Sequence, residues 1–219
     1  MTVGVVAQAR MTSKRFPGKS MALIAGKPVL EHVIERAKLI PFVDKIIIAM
    51  PSDKASTAMG ELCERMGVEP FYGPEDDVLK RYYLAATCFD LSTIVRLTCD
   101  CPMFDPIVAG EVLSVLKAEN LDYCSNVFPK RTYPKGFDVE AFTYDCLEAA
   151  HLMSKAPYYR EHVTVFMQKR RGIRRANVVQ KIDRSGLNFT VDYPDDIERL
   201  EKLLAKAELK EIETNATRH

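Results

Sequence analysis

Residues 3–19 read VGVVAQARMTSKRFPGK, and the reading of this stretch decides the fold. Val3, Val5 and Val6 are β-branched and apolar, as in a buried strand. The chain then turns cationic: Arg10, Lys14, Arg15 and Lys19 fall within ten residues, and Lys27 follows. No carboxylate precedes Glu31. In α/β folds the carboxyl end of a strand is where phosphates are held, and a local positive field suits them. Pro17 and Gly18 predict a turn, and Gly18 is expected to let backbone N–H groups approach a ligand closely. Lys19 is placed to reach a phosphate as a point charge, while Arg10 and Arg15 can grip oxygens bidentately. The loop fits neither GxxxxGK[ST] nor GxGxxG. The plain alternative is a solvated basic loop.

Downstream of this loop, strand-like and helix-like runs alternate. Lys27–Leu39 repeats apolar residues at three-to-four spacing, with Pro28 in its first turn. KIIIAM at 45–50 is a continuous apolar run, typical of a central parallel strand. Lys54–Met66 reads as a helix ended by Gly67, Val68–Phe71 as a strand, and Asp77–Cys88 as a helix. Thr93–Thr98 and Asp105–Ala118 form the next strand and helix. This order predicts an α/β fold with a doubly wound, mostly parallel sheet. After about residue 120 shorter strands are expected at Asp122–Ser125, Phe137–Thr143, Arg174–Val179 and Phe189–Val191. Helices are expected near Tyr144–Leu152, Tyr159–Lys169 and Pro194–Ala207. With no linker or composition break, residues 1–208 read as one domain and 209–219 as a polar, frayed tail.

Composition narrows the function. The 219 residues carry 47% hydrophobic and 28% charged side chains, which suits a globular domain with a substantial core. A net charge of +1 argues against a broad nucleic-acid surface. No apolar run approaches the roughly 18 residues of a membrane span. The opening residues lack a basic n-region and a long enough apolar stretch for a signal peptide, so a cytoplasmic location is expected. Six cysteines include a CxC at Cys99 and Cys101 but no CxxC; they read as small buried hydrophobes, and no disulfide is expected.

Five further motifs carry charge at strand ends. In RLTCDCPMFDP (96–106), Asp100 follows a central strand and projects toward the same crevice as the first loop. A carboxylate beside phosphates is a natural Mg²⁺ ligand; a turn or cap is the alternative. Asp105 reads as a helix cap before Pro106. In FTVDYPDDI (189–197), Asp192 is a candidate second metal ligand, and the motif is equally an ordinary strand-to-helix junction. In TYPKGFDVE (132–140), Asp138 and Glu140 share one strand face, fit to bind sugar hydroxyls or to form a solvated edge. In YYREHVT (158–164), Arg160 and His162 open a helix; His162 is a candidate base or anion ligand, or a simple helix anchor. In GPEDDVLKRYYLAA (73–86), Asp77 and Arg81 stand at i,i+4, as an intrahelical ion pair or with Arg81 facing a nucleotide.

Together and in this order, these six motifs resemble the sugar-acid cytidylyltransferases, most closely the spore-coat polysaccharide branch. That branch typically shows QARMGSTRLPGK, GxxxDVLxRYYxAA, RxTxDCPLxDP, TYPxGLDVE, REHVT and LTVDxPEDL. The chain is similar, more distantly, to CMP-Kdo synthetase. The resemblance covers residues 2 to about 205. It implies a nucleotide-diphospho-sugar-transferase fold, CTP as donor, Mg²⁺ as cofactor, a sugar acid or related anionic acceptor, and a homodimer. By match of motif, Arg10 and Lys19 take triphosphate-binding and catalytic roles, with Asp100 and Asp192 as metal ligands. Arg81 and the backbone near Ala7 and Ala9 match nucleoside contacts, and Arg15 joins the nucleotide-binding set. Asp138, Glu140, Arg160 and His162 fall where acceptor contacts belong. Thr12 stands where the branch has Gly, and a left-handed backbone there would strain a threonine by about 1 kcal/mol or more. Two rival readings remain: a nucleotide-sugar-dependent glycosyltransferase, disfavoured because CDC replaces a DxD, and a non-catalytic nucleotide-binding module.

Overall fold

The β-branched run predicted at the start is β1 (Thr2–Gln8), and Val3, Val5, Val6 and Ala7 are all buried. In a computed structural model that describes the backbone of residues 1–216 and side chains to residue 205, β1 sits at the centre of a seven-stranded sheet. Both its edges are taken by parallel neighbours, β4 (Lys45–Pro51) on one side and β6 (Leu91–Thr98) on the other. A strand covered on both edges and both faces must be apolar throughout, which is why β1 and β4 lack polar alternation.

The remaining elements follow the expected alternation. A two-residue hairpin, β2 (Leu23–Ile24) and β3 (Lys27–Pro28), precedes α1 (Val29–Ala37). The predicted helix start at Lys27 is therefore displaced by two residues, and Pro28 caps the helix rather than opening it. Next come α2 (Thr57–Met66), β5 (Glu69–Gly73), α3 (Val78–Cys88) and α4 (Pro106–Ala118). Gly67 ends α2 in the left-handed conformation, φ 64°, and the Asp77 and Asp105 side chains cap α3 and α4 by accepting backbone N–H groups. The second half adds β7 (Tyr123–Ser125), β8 (Glu140–Thr143), α5 (Tyr144–Met153), α6 (Pro157–Glu161), α7 (Val165–Lys169), β9 (Arg175–Asn177) and α8 (Asp195–Ala216).

The strand order is β5-β4-β1-β6-β8-β7-β9, with β8 antiparallel to both neighbours and all other pairs parallel. Helices α1, α2 and α4 pack one face, with Leu30, Val33, Ile34, Leu62 and Leu113 in its core. Helices α3, α5 and α7 pack the other, around Tyr82, Ala85, Leu147 and Met167. Winding reverses between β1 and β6, so the loops after these two strands splay apart at their carboxyl ends and leave a crevice.

Three expectations are corrected. Residues 189–191 form no strand; that stretch is irregular, tied by Val191 N–H to the Asp100 carbonyl at 2.8 Å. The helix expected over 159–169 is two short helices broken at His162–Thr164, where Val163 has φ 40°, a conformation that a β-branched residue holds only under tertiary constraint. The terminal helix runs on to Ala216, through most of the stretch read as a tail; residues 217–219 lie outside the described residues.

Candidate active site

The loop after β1 closes on itself before it offers anything to a ligand. Gly18 is left-handed, φ 76° and ψ 7°, a geometry cheap only for glycine, and its N–H donates to the Met11 carbonyl at 2.8 Å. The Lys19 N–H donates to the Phe16 carbonyl, so neither amide is presented to a ligand as the sequence suggested. The glycine instead starts a single helical turn, Lys19–Met21, which aims the Lys19 side chain into the crevice. Ser20, buried, donates to the Arg10 carbonyl at 3.1 Å and pins the loop's other end. Phe16 packs beneath with Ile24, Val29, Val191 and Leu200, a small apolar cluster that ties this loop to the start of α8.

That cluster brings the two distant carboxylates to the lysine. Lys19 Nζ donates to Asp100 Oδ2 at 2.8 Å and to the Val191 carbonyl at 2.9 Å, and lies 3.7 Å from Asp192 Oδ1. Arg15 Nη2 reaches the same Asp192 oxygen at 2.6 Å, its guanidinium over the Tyr193 ring. Burial alone would raise the Asp100 carboxyl; the Lys19 charge and hydrogen bonds from Lys19, Thr98 and Cys101 outweigh it and hold the group below its ordinary value. Asp100 and Asp192 thus face one shared cation.

An open cleft of about 690 Å³ starts here, lined by Arg10, Arg15, Lys19, Arg81, Asp100 and His162 among others. Arg10 is exposed and makes no ion pair among the described residues. Arg81 is fully buried, but not as the helical ion pair considered above: its Nη1 donates to the Pro74 carbonyl at 2.6 Å, and its Nε has no partner. Burial lowers its pKa. Ala9 lines the cleft, with its own N–H bonded to the Ala49 carbonyl; Ala7 does not, being enclosed in the sheet. Thr12 is not among the left-handed residues, so no strain attaches to it; its hydroxyl donates to Glu75 Oε1 at 2.5 Å across the cleft mouth.

A second cavity of about 300 Å³ adjoins the first, and Arg96, Thr98 and His162 line both. Asp138 and Glu140 line it too, but both are occupied. Glu140 is buried and bonded to Arg96, Tyr123, Thr164 and Gln168; Asp138 is gripped bidentately by Arg131 at 2.5 and 2.6 Å. Burial would weaken the Arg96 charge, and the Glu140 carboxylate more than restores it, raising its pKa. His162 is exposed, its ring edge-on to Tyr158 at 4.6 Å. Arg160 is corrected: every nitrogen of its guanidinium is bonded to Asp77, His151 or Ser154, and it lines neither cavity. Arg96 is the site residue that sequence reasoning missed, although a lone arginine inside the apolar strand TIVRLT was a visible signal.

No cluster of three or more His, Cys, Asp or Glu side chains is placed to hold a metal among the described residues, and all six cysteines are free thiols, five of them buried. No helix of the described residues is long and apolar enough to cross a membrane.

Comparison with known proteins gives the family and the fold. A family model described as cytidylyltransferase matches residues 5–216. The spore coat polysaccharide biosynthesis protein SpsF of Bacillus subtilis is 26% identical over 210 residues, covering 92% of this chain and 86% of its own. The structure of a cytidylyltransferase from Leptospira borgpetersenii superposes with TM-score 0.90 at 27% identity, over 99% of this chain and 96% of that one. CMP:2-keto-3-deoxy-manno-octonic acid synthetase complexed with CTP shares the fold, with TM-score 0.73 at 20% identity over 94% of this chain and 100% of that one. A crevice at the sheet's switch point, walled by a cationic loop and two carboxylates, is thus the setting of a chain that belongs to the cytidylyltransferase family.

Proposed function

We propose that this chain transfers CMP from CTP to a sugar acid or related anionic acceptor and releases pyrophosphate, in the supply of activated sugars for surface glycans. The observation that carries the reading is the meeting of Lys19, Asp100 and Asp192, from three loops, at the edge of a cleft ringed by Arg10, Arg15 and Arg81. The name of the CTP-bound synthetase supports CTP and a sugar-acid acceptor, and that of SpsF supports a role in polysaccharide biosynthesis.

A divalent cation fits the donor set. One ammonium already sits against both carboxylates, and Mg²⁺ characteristically takes one or two carboxylates and completes its shell with phosphate oxygens and water. Asp100 and Asp192 would hold it, and it would supply neutralisation of phosphate charge and a lowered pKa at a bound hydroxyl. The chain's own groups do the rest by position and charge. An acceptor oxygen attacks the α-phosphorus as the bond to the β-phosphate oxygen breaks. Lys19 and Arg10 stabilise the charge that grows on the departing pyrophosphate. Arg81 and the Ala9 edge orient the nucleoside. His162, at the boundary of the two cavities, is placed to take the acceptor's proton. A homodimer is part of the proposal by family alone.

The test is pyrophosphate release with CTP and Mg²⁺ against a panel of acidic sugars and phosphorylated small molecules. Turnover with CTP is expected. Preference for ATP or UTP would remove CTP from the proposal, free nucleotide as product would favour glycosyl transfer, and CTP binding without turnover on every acceptor would leave a binding module.

A further inference from the structure

Two motifs that the sequence separates by 83 residues are joined by one ion pair. Arg160, on α6, grips Asp77 bidentately: Nε to Oδ1 at 2.9 Å and Nη2 to Oδ2 at 2.5 Å. Its Nη1 donates to the His151 and Ser154 carbonyls, at 2.8 and 3.3 Å, at the end of α5. Asp77 is the cap of α3, accepting the Lys80 N–H at 2.9 Å. The residues just before it, Glu75 and Asp76, line the cleft from the α3 side; Pro157, Glu161 and His162, which flank Arg160, line it from the α6 side. The pair is largely shielded, with the arginine side chain 17% and the aspartate 30% exposed.

We propose that Arg160 is a positioning residue that fixes the two walls of the cleft against each other, and that His151 sets the acid limit of that arrangement. This rests on the reading of the cleft as the active site. His151 Nδ1 lies 3.2 Å from Arg160 Nη2, so the neutral ring accepts from the guanidinium there. Its ring is stacked on Tyr83 at 4.3 Å, and it faces Asp77 and Lys80 of α3, Glu148 of its own helix and Arg160 of α6. Protonation removes the acceptor and sets two cations in contact. Burial, then the Arg160 charge, lower the His151 pKa below its ordinary 6.5, so the folded protein favours the neutral ring. The stabilisation is complete above that ordinary value and is lost as pH falls from it toward the depressed one. Released, α6 would no longer hold His162 in register with the α3 side of the cleft, and small misplacements of reacting groups are costly.

The experiment has two arms. Arg160→Ala is expected to lower kcat/KM by roughly 10–100-fold, chiefly through KM for the acceptor, with partial rescue in Arg160→Lys. His151→Phe keeps the ring stack without the titration and is expected to extend activity to lower pH. The second arm needs no turnover: protection of residues 156–164 against hydrogen exchange in the free protein, taken relative to the intrinsic amide rate at each pH, should fall between pH 7.5 and pH 5.0 in wild type, and much less in His151→Phe. If wild type turns over no acceptor, the functional proposal falls while the exchange arm still decides the clamp. Unchanged kinetics in Arg160→Ala, or a lower melting temperature alone, overturns the positioning role. Equal exchange in wild type and His151→Phe at pH 5.0 overturns the role of His151.

Discussion

The two adjoining cavities are lined by the same kinds of residue and hold their charges in opposite ways. At the first, Lys19 is shared between Asp100 and Asp192, and Arg10 is exposed and has no ion-pair partner among the described residues. At the second, Glu140 is buried beneath Arg96, Tyr123, Thr164 and Gln168, and Asp138 is closed by the Arg131 fork. Charges in the first can exchange partners when a polyanion enters, because Arg10 and Arg15 are exposed and Lys19 is divided between two carboxylates. In the second, the Arg96–Glu140 pair is buried and held by several hydrogen bonds, with only Arg96 Nε lacking a partner, and breaking it would strand a buried ion. Residue type alone does not separate a binding charge from a structural one; the count of partners already satisfied does.

The sharpest way to break this contrast is to remove one charge from each side. Asp100→Ala is expected to cut pyrophosphate release on the order of 10²–10³-fold. The fold should hold, because Lys19 keeps the Val191 carbonyl and Asp192. Near-normal turnover in a well-folded Asp100→Ala protein would take that carboxylate out of the reacting centre.

Glu140→Ala should do the reverse and act first on stability. It strands Arg96, whose side chain is only 17% exposed, and such stranding costs about 3–5 kcal/mol. For a chain of this length that is a drop of about 10 °C in the melting temperature. Glu140→Gln, which keeps the shape and one of the two acceptor oxygens, should fall between. A melt for Glu140→Ala that overlays wild type would mean that the second cavity's charges are as exchangeable as the first's.

Sequence legibility followed the same division. The meeting of Lys19 and Asp100 was readable because their loops follow β1 and β6 at the same end of the sheet, whereas Asp192 was expected after a strand that does not form and reaches the crevice through the Val191–Asp100 tie. The partners of Asp77, Glu140 and Arg160 were not, since each is fixed by a side chain tens of residues away and no local spacing encodes that choice. Asp77 was read with Arg81 because i,i+4 is the local rule; Arg160 won because its fork meets the carboxylate bidentately. The break at His162–Thr164 was hidden for a related reason, as propensity alone would run a helix through it.

Thr12 gives the smallest effect and bears on how exchangeable the first cavity is. A threonine in place of glycine would matter greatly if that position were left-handed, but the left-handed glycine of the loop is Gly18, six residues on. Thr12 instead extends an exposed hydroxyl to Glu75 across the cleft mouth. Thr12→Gly forfeits that hydrogen bond, worth about 0.5–1.5 kcal/mol net, and frees the backbone at a further cost of roughly 0.5–1 kcal/mol. A melting temperature lowered by a few degrees and a CTP dissociation constant within about threefold of wild type, since neither partner is a cation, are the expected results. A much larger change in CTP affinity, with the melt unmoved, would make the Thr12–Glu75 contact part of nucleotide binding and extend the exchangeable region to the opposite lip of the cleft.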